Sequence, residues 1–273
     1  MPIYFCACLL LDFKPLKGMV FFMLKVLVNG CNGKMGQVVC DLIQKNENLH
    51  LLCGVDKDIN NTTPFPIYTN TDNILEKPDV IIDFSIPVAT FSILEYAKEN
   101  NIPIVIATTG FTDEQEKDIV EKYSKFIPIF KSANMSYDIN ILKHLLTWLA
   151  PKLKGADIEI TEVHHNRKID SPSGTAQMLA NCINDSLGNT LHCEYNRHAK
   201  HEKRDKNEIG MSSIRGGNIV GEHMIQFFGE FETFEIKHTT YSRNVFAEGS
   251  LKAAEFIANQ KPGFYNMDDL CKM

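Results

Sequence analysis

A chain of 273 residues that is 44% hydrophobic and 23% charged has ordinary globular composition, with room for one large or two smaller domains. Its net charge of -6 argues against nucleic acid as a partner but leaves room for a local cationic pocket that takes a small anion. The eight cysteines form no C-x-x-C pair and several sit in apolar runs, so they read as reduced, mostly buried thiols of a cytosolic protein rather than a disulfide framework.

The stretch from Met1 to Leu24 is apolar but interrupted by Asp12, Lys14, Lys17 and Gly18, which argues against a membrane span. It has no basic start before its apolar part, so it fits a signal peptide poorly. Residues 1–23 are expected to be a leader outside the fold, either disordered or upstream of the true start at Met19 or Met23.

Leu24–Val28 reads as a buried strand running into Gly30-Cys-Asn-Gly-Lys-Met-Gly36 and then an amphipathic helix, Gln37–Lys45. Leu49–Val55 is a second apolar strand that ends at Asp56. Further strands are predicted at Asp79–Phe84, Ile102–Ala107 and Ile127–Phe130. Between them lie a helix with Pro at its start, Pro87–Glu99, and one opened by the capping box Thr112-Asp-Glu-Gln115. Short apolar strands alternating with helices predict an α/β fold with a doubly wound, Rossmann-like parallel sheet.

The pattern changes after about residue 134. A helix is predicted at Ser136–Leu149, a strand at Asp157–Val163 and a helix at Ser173–Ser186, followed by a polar stretch, His192–Glu208. Three strand-like runs then follow without helices between them: Met211–Arg215, Asn218–Phe228 and Thr233–His238. That order predicts an α+β region with an antiparallel or mixed sheet. Arg243–Gln260 reads as a terminal helix stopped by Lys261-Pro-Gly.

Gly30, Gly33 and Gly36 stand where a strand gives way to a helix. A pyrophosphate there needs close backbone approach and free N–H groups at a helix N-terminus. Asp56 closes the next strand roughly 20 residues on, where an acid binds a ribose hydroxyl. Lys34 and Lys57 lie close enough in sequence to meet a 2′-phosphate instead. Thr108-Thr109-Gly110 and Ser132-Ala133-Asn134-Met135 follow strands, so both are candidates to line a nicotinamide, although ordinary turn chemistry explains them equally well.

The densest chemistry is the run from Glu162 to Ala176. His164 and His165 stand at a strand end, with Lys168 and Asp170 in the turn beyond. Pro172 restricts Ser171, and Ser173 is placed to cap a helix whose first residues, Gly174 and Thr175, offer bare N–H groups to a carboxylate or phosphate. An anion cradle, a cation and an imidazole suit a small anionic substrate that accepts a proton as well as a hydride. Neither this run nor the His198–His201 stretch has zinc-type spacing, so no metal is expected.

Together the glycine turn and the run Glu162-x-His164-His165-x-x-Lys168-x-Asp170-x-Pro172-Ser173-Gly174-Thr175-Ala176 resemble the 4-hydroxy-tetrahydrodipicolinate (dihydrodipicolinate) reductase family of the diaminopimelate route to lysine. The resemblance spans Leu24 to Leu270 and includes Ala107-Thr-Thr-Gly110, Ser132–Met135, Ile214-Arg-Gly-Gly217 and Val220-Gly-Glu-His223. It implies a cytoplasmic homotetramer that uses NADH or NADPH, or both, to reduce a small dicarboxylate substrate with loss of water. It implies a dinucleotide-binding domain of residues 24–133 plus 241–273, and a substrate-binding and oligomerisation domain of residues 134–240.

By the same resemblance His164 and Lys168 handle protons, and His165, Ser173, Gly174 and Thr175 hold substrate carboxylates. The cofactor would lie on Gly30, Cys31, Asn32, Gly33, Lys34 and Met35, on Asp56 and Lys57, on Ala107, Thr108 and Thr109, and on Ser132, Ala133, Asn134 and Met135. The chain departs from the family at Ala107, often Gly, and at Lys34, often Arg, which with Lys57 leaves NADH against NADPH open. The alternative is another two-domain nicotinamide-dependent dehydrogenase of amino-acid metabolism. That reading needs a catalytic Cys or a Lys–Asp pair elsewhere, and no cysteine here has a catalytic-looking context. A cofactor-sensing regulator would add a DNA-binding module, for which the chain has no basic helix-turn-helix.

Overall fold

The computed structural model describes residues 23–59 and 62–272. The leader expected at residues 1–23 therefore lies, Met23 apart, outside the described residues.

The first half alternates as expected: β1 (Leu24–Asn29), α1 (Lys34–Ile43), β2 (Leu49–Val55), β3 (Ile67–Tyr68), β4 (Val80–Asp83), α2 (Pro87–Asn100), β5 (Ile104–Ile106), α3 (Asp113–Asp118) and β6 (Pro128–Lys131). The second half runs α4 (Tyr137–Leu149), β7 (Asp157–His164), α5 (Gly174–Ser186), β8 (His192–Glu194), β9 (Glu208–Arg215), β10 (Gly221–Phe228), β11 (Thr233–Thr240), α6 (Asn244–Ile257), β12 (Gly263–Tyr265) and α7 (Met267–Cys271).

Two sheets result. A parallel sheet of seven strands has the order β12-β6-β5-β4-β1-β2-β3, and a mixed sheet of five has the order β11-β10-β7-β9-β8. In the first, Val26, Leu27 and Val28 of β1 and Val80, Ile81 and Ile82 of β4 are fully buried, as an unbroken apolar run requires when helices cover both faces. α1 buries Gly36, Val39, Cys40 and Ile43, one helical stripe. α6 returns from the second sheet to this core, where Ala247, Leu251, Ala254 and Ile257 pack with Val39, Ile82 and Phe130. A separate core lies under the second sheet, where Leu142 and Leu146 of α4 and Leu179 and Ile183 of α5 meet Ile160 and Ile225. Each such large side chain contributes roughly 1.5–3 kcal/mol by leaving water.

Several expectations need correction. The predicted helix after Thr112 keeps its capping box but ends at Asp118 and continues as one π-helical turn, Ile119–Tyr123. The polar stretch after His192 contains a short edge strand, β8, paired parallel to β9. The chain does not finish on α6. Gly263–Tyr265 forms β12 at the sheet edge beside β6, and Asn266 caps α7 through a reciprocal bond with Asp269. Lys261-Pro-Gly stops α6 but then feeds an edge strand, where a proline just outside the ladder does no harm.

Candidate active site

The order of the parallel sheet reverses between β1 and β4, and ligands of such sheets bind beyond the strand ends at that point. The glycine turn stands there. Gly30 has φ +78°, and a Cβ on it would lie 2.5 Å from the Phe84 carbonyl oxygen. A Cβ on Gly36 would lie 2.0 Å from the Gly30 carbonyl oxygen. Both positions therefore need glycine to let β1, β4 and the start of α1 meet. Gly33 caps α1 without a side-chain bond, and the first helical turn carries no acid. Its first N–H groups have no partner within the helix, which suits a pyrophosphate.

A buried carboxylate holds the strand ends around this turn. Asp83 Oδ1 accepts from Asn29 Nδ2 (2.8 Å) and Ser85 Oγ (2.5 Å), and Oδ2 accepts from Thr90 Oγ1 (2.6 Å) and Thr108 Oγ1 (2.9 Å). Burial pushes the Asp83 carboxyl above its ordinary range, against the pull of these donors. Sequence reading gave Asp83 no role, because the residues it joins come from three strand ends and a helix.

The predicted cofactor residues fall around two adjoining clefts. One, of about 880 Å³, is lined by Gly30, Asn32, Gly33, Asp56, Lys57 and Ser85, among others. The next, of about 520 Å³, is lined by Gly33, Lys34, Met35, Ala107, Thr108, Thr109 and the four residues Ser132–Met135, together with Phe246. Asp56 accepts the backbone N–H of Asn32 (2.9 Å) and that of Lys57 (2.8 Å), so it fixes the turn as well as facing the first cleft. Two side chains are committed to the fold. Cys31 packs in the core against Gly54, where burial pushes its thiol up to about 12. The Thr108 hydroxyl is taken by Asp83 and the Ser85 N–H.

A third cavity, of about 330 Å³, lies between the two sheets and within the ~300–1,000 Å³ typical of small-molecule sites. Met35, Asn134 and Phe246 line it from the cofactor side, and His164, Thr175 and His223 from the other. Asn134 joins the two sides by donating to Thr175 Oγ1 (3.1 Å).

His164 ends β7, where the ring pairs through Nδ1 with Glu162 Oε2 at 2.5 Å. Arg215 clamps the same carboxylate with Nη1 to Oε2 (2.9 Å) and Nη2 to Oε1 (2.7 Å). Ser173 N–H donates to Oε1 (3.2 Å). Burial raises the Glu162 carboxyl, but bonds from Arg215, Ser213 and His164 outweigh it and bring it down to about 2. Glu162 is therefore charged at neutral pH, and a carboxylate beside Nδ1 fixes the proton on that nitrogen. Nε2 is left free beside Gly221, where a Cβ would stand only 3.1 Å away.

The helix start after Pro172 takes the cap predicted for it. Ser173 caps α5, its hydroxyl accepting from Ala176 N–H and lying 3.2 Å from His223 Nε2. Burial first, then the neighbouring His164, brings His223 down to about 4, so it is neutral. The Ser171–Pro172 peptide is cis. Lys168 behaves differently: its amine rests on Asp170 Oδ1 at 2.8 Å, which holds the Asp170 carboxyl below its usual range, and it is not part of the cavity lining. His165 is half-buried with Nδ1 unpartnered, and desolvation followed by the Arg167 and Arg243 charges lowers its pKa. Arg215 and His223 stood in sequence motifs without an assigned task, and only the strand pairing brings them to Glu162.

Most of the chain is similar to one family of known proteins. Residues 24–135 match the family model described as dihydrodipicolinate reductase, N-terminus, and residues 138–271 match its C-terminus counterpart. A 4-hydroxy-tetrahydrodipicolinate reductase of Caldanaerobacter subterraneus is 48% identical over 252 residues, 92% of this chain and 99% of that protein. The protein of the same name from Clostridium novyi is 45% identical over 251 residues, again 92% and 99%. A dipicolinate-bound dihydrodipicolinate reductase from Paenisporosarcina sp. TG-14 superposes with a TM-score of 0.76 at 25% identity, covering 91% of this chain and 99% of that one. A myo-inositol dehydrogenase from Corynebacterium glutamicum, at 11% identity and a TM-score of 0.55, shares the fold alone.

Proposed function

The chain belongs to the dihydrodipicolinate reductase family, and we propose that it reduces 4-hydroxy-tetrahydrodipicolinate to tetrahydrodipicolinate with loss of water, on the diaminopimelate route to lysine. The observation that carries this reading is the His164–Glu162–Arg215 assembly facing one cavity with the α5 N-terminus and the glycine-turn side chain Met35. Reduced nicotinamide, NADH or NADPH, supplies the hydride when bound along the two clefts beyond β1 and β4.

The chain's own residues do the rest. The free N–H groups at Gly174 and Thr175, with the Ser173 cap and His165, take substrate carboxylate. Glu162 keeps the His164 proton on Nδ1, so Nε2 exchanges protons with the bound molecule. Lys168 delivers a proton to the substrate ring after its amine leaves Asp170, which stores the charge nearby until then. Positioned proton transfer of this kind contributes ~100- to 10,000-fold. Met35 and Phe246 close the cavity from the cofactor side and limit water.

The domain division expected from the sequence fits the two sheets, with α6 and β12 completing the dinucleotide-binding part. The homotetramer is supported by the face of the mixed sheet turned away from α4 and α5. On that face Met224 and Gln226 are half-buried and Ile214 and Phe228 exposed, a surface suited to a second copy. Among the described residues no helix is long and apolar enough to cross a membrane. The cytoplasmic location is part of the proposal and rests on the reductase reading, whose nicotinamide cofactor is a cytoplasmic reductant.

The test is a coupled assay in which pyruvate and aspartate semialdehyde are condensed in situ by the preceding synthase. Oxidation of NADH or NADPH is expected only when that product is supplied. Protein that is folded and binds NADH yet gives no turnover overturns the reading.

A further inference from the structure

One buried carboxylate has a place in the fold but no part in the chemistry. Asp83 ends β4 with 0% exposure. Its partners Ser85 and Thr108 line the cleft of about 520 Å³, and that cleft adjoins the His164 cavity, since Met35, Asn134 and Phe246 line both. Asp83 therefore sits one hydrogen bond behind the wall that the proposed function gives to the nicotinamide.

The groups around Asp83 fix its charge. Ser85 Oγ accepts from Asn29 Nδ2 (3.1 Å) and Thr108 Oγ1 accepts from the Ser85 N–H (2.8 Å), so each hydroxyl has its own proton left for Asp83. With Asn29 Nδ2 and Thr90 Oγ1 they place four donors on two oxygens. The bonds from Ser85 and Thr90, at 2.5 and 2.6 Å, have the length of charge-assisted O–H···O contacts. A proton on the carboxyl would displace one of these donors. Burial opposes the charge, and the four donors hold it in place. Among the described residues no cation is paired with Asp83, and the one charged side chain lining the cleft, Lys34, stands at the start of α1. The field of the carboxylate reaches the cleft with no counter-charge beside it.

Loss of a hydride turns a neutral dihydronicotinamide into a cationic ring. We propose that Asp83 is a positioning residue of the reduction: its negative charge favours that cation, and its bonds to Ser85 and Thr108 hold the wall on which the ring lies. A charge fixed before the reaction stabilises developing charge without reorganising, and four donors fix this one. Because Asp83 is fully buried, it acts on the ring through Ser85 and Thr108 and takes no space in the cleft.

The assignment rests on the reductase reading, and the experiment separates the two. Calorimetric titration of the full chain without substrate measures affinity for a reduced and an oxidised nucleotide: NADH and NAD+, or NADPH and NADP+ if the unaltered protein binds that pair more tightly. The two members differ in the charge of the ring, so their affinity ratio reads the field at the ring, whereas a role confined to the fold weakens both alike. Asp83→Asn is expected to weaken the oxidised form ~5- to 30-fold more than the reduced form, the effect of one charge at short range beside a partly wet cleft. Asp83→Ser removes the same charge and serves where the amide does not fold, with a thermal melt to show which variant folds. Thr108→Val keeps the charge and breaks one bond to the wall, so it weakens both forms and moves the ratio by no more than ~2-fold. A ratio that stays within ~2-fold of the unaltered protein's in a folded Asp83 variant, or that Thr108→Val shifts as far as Asp83→Asn does, overturns the assignment. The expected ratio shift beside unaltered protein that gives no turnover with the condensed substrate overturns the reductase reading alone. Unaltered protein that binds neither pair overturns both.

Discussion

Replacing Glu162 by Gln changes one oxygen of a carboxylate that is 1% exposed and whose two oxygens are both occupied by donors. The new amide group must point either at His164 and Arg215 or at Arg215 and Ser173. In the first arrangement it pushes the His164 proton from Nδ1 to Nε2, where it blocks the nitrogen that faces the cavity. In the second it opposes two donors and loosens the ring's anchor. Either way the proton-transfer contribution of ~100- to 10,000-fold is at risk, and kcat is expected to fall within that range. Arg215 also loses its counter-charge, which costs about 3–5 kcal/mol in a buried pair. The assay is steady-state turnover at saturating cofactor and substrate, with NADH affinity measured separately and a thermal melt to confirm folding. A folded Glu162→Gln variant whose kcat stays within ~3-fold of the unaltered enzyme refutes the claim that Glu162 sets the His164 tautomer.

Three further outcomes are expected. Lys168→Ala lowers kcat by ~100-fold or more with NADH affinity intact, and a loss confined to cofactor affinity would reassign Lys168. Gly36→Ala places a methyl 2.0 Å from the Gly30 carbonyl oxygen, so NADH binding and thermal stability should both fall sharply, and a variant with normal NADH affinity would contradict the close packing described for the turn. His223 is neutral in the fold down to about pH 4 but protonates near 6.5 in the unfolded chain, so stability is full above 6.5 and declines as pH falls toward 4. Denaturant midpoints across that window should drop, and His223→Gln should flatten the decline; an unchanged slope would count against a buried neutral His223.

Much of the site was legible because its parts are local. The turn Gly30–Gly36 announces itself by spacing, and the structure shows why glycine is needed at Gly30 and Gly36: backbone atoms occupy the space a side chain would take. Ser173 could be read as a cap because capping depends on residues three apart. The chemistry around Glu162 was not legible. Parallel pairing of β7 with β9 sets His164 opposite Arg215, and antiparallel pairing with β10 sets Glu162 opposite His223, across separations of about fifty and sixty residues that no local pattern encodes. Asp83 escaped for the same reason. β3, β8 and β12 were missed because two or three residues carry no period; they form only because a longer neighbour offers an edge.

The central claim is that the cofactor clefts and the cradle after Glu162 serve one molecule held between them. A crystal structure of the complex with NADH and dipicolinate tests it most directly. The prediction is dipicolinate in the cavity between the sheets, one carboxylate on the N–H groups of Gly174 and Thr175, with the nicotinamide ring against it from the side of Met35 and the His164 imidazole and Lys168 amine turned toward its ring. Dipicolinate bound away from α5, or a nicotinamide that cannot reach it with both ligands present, would contradict the account.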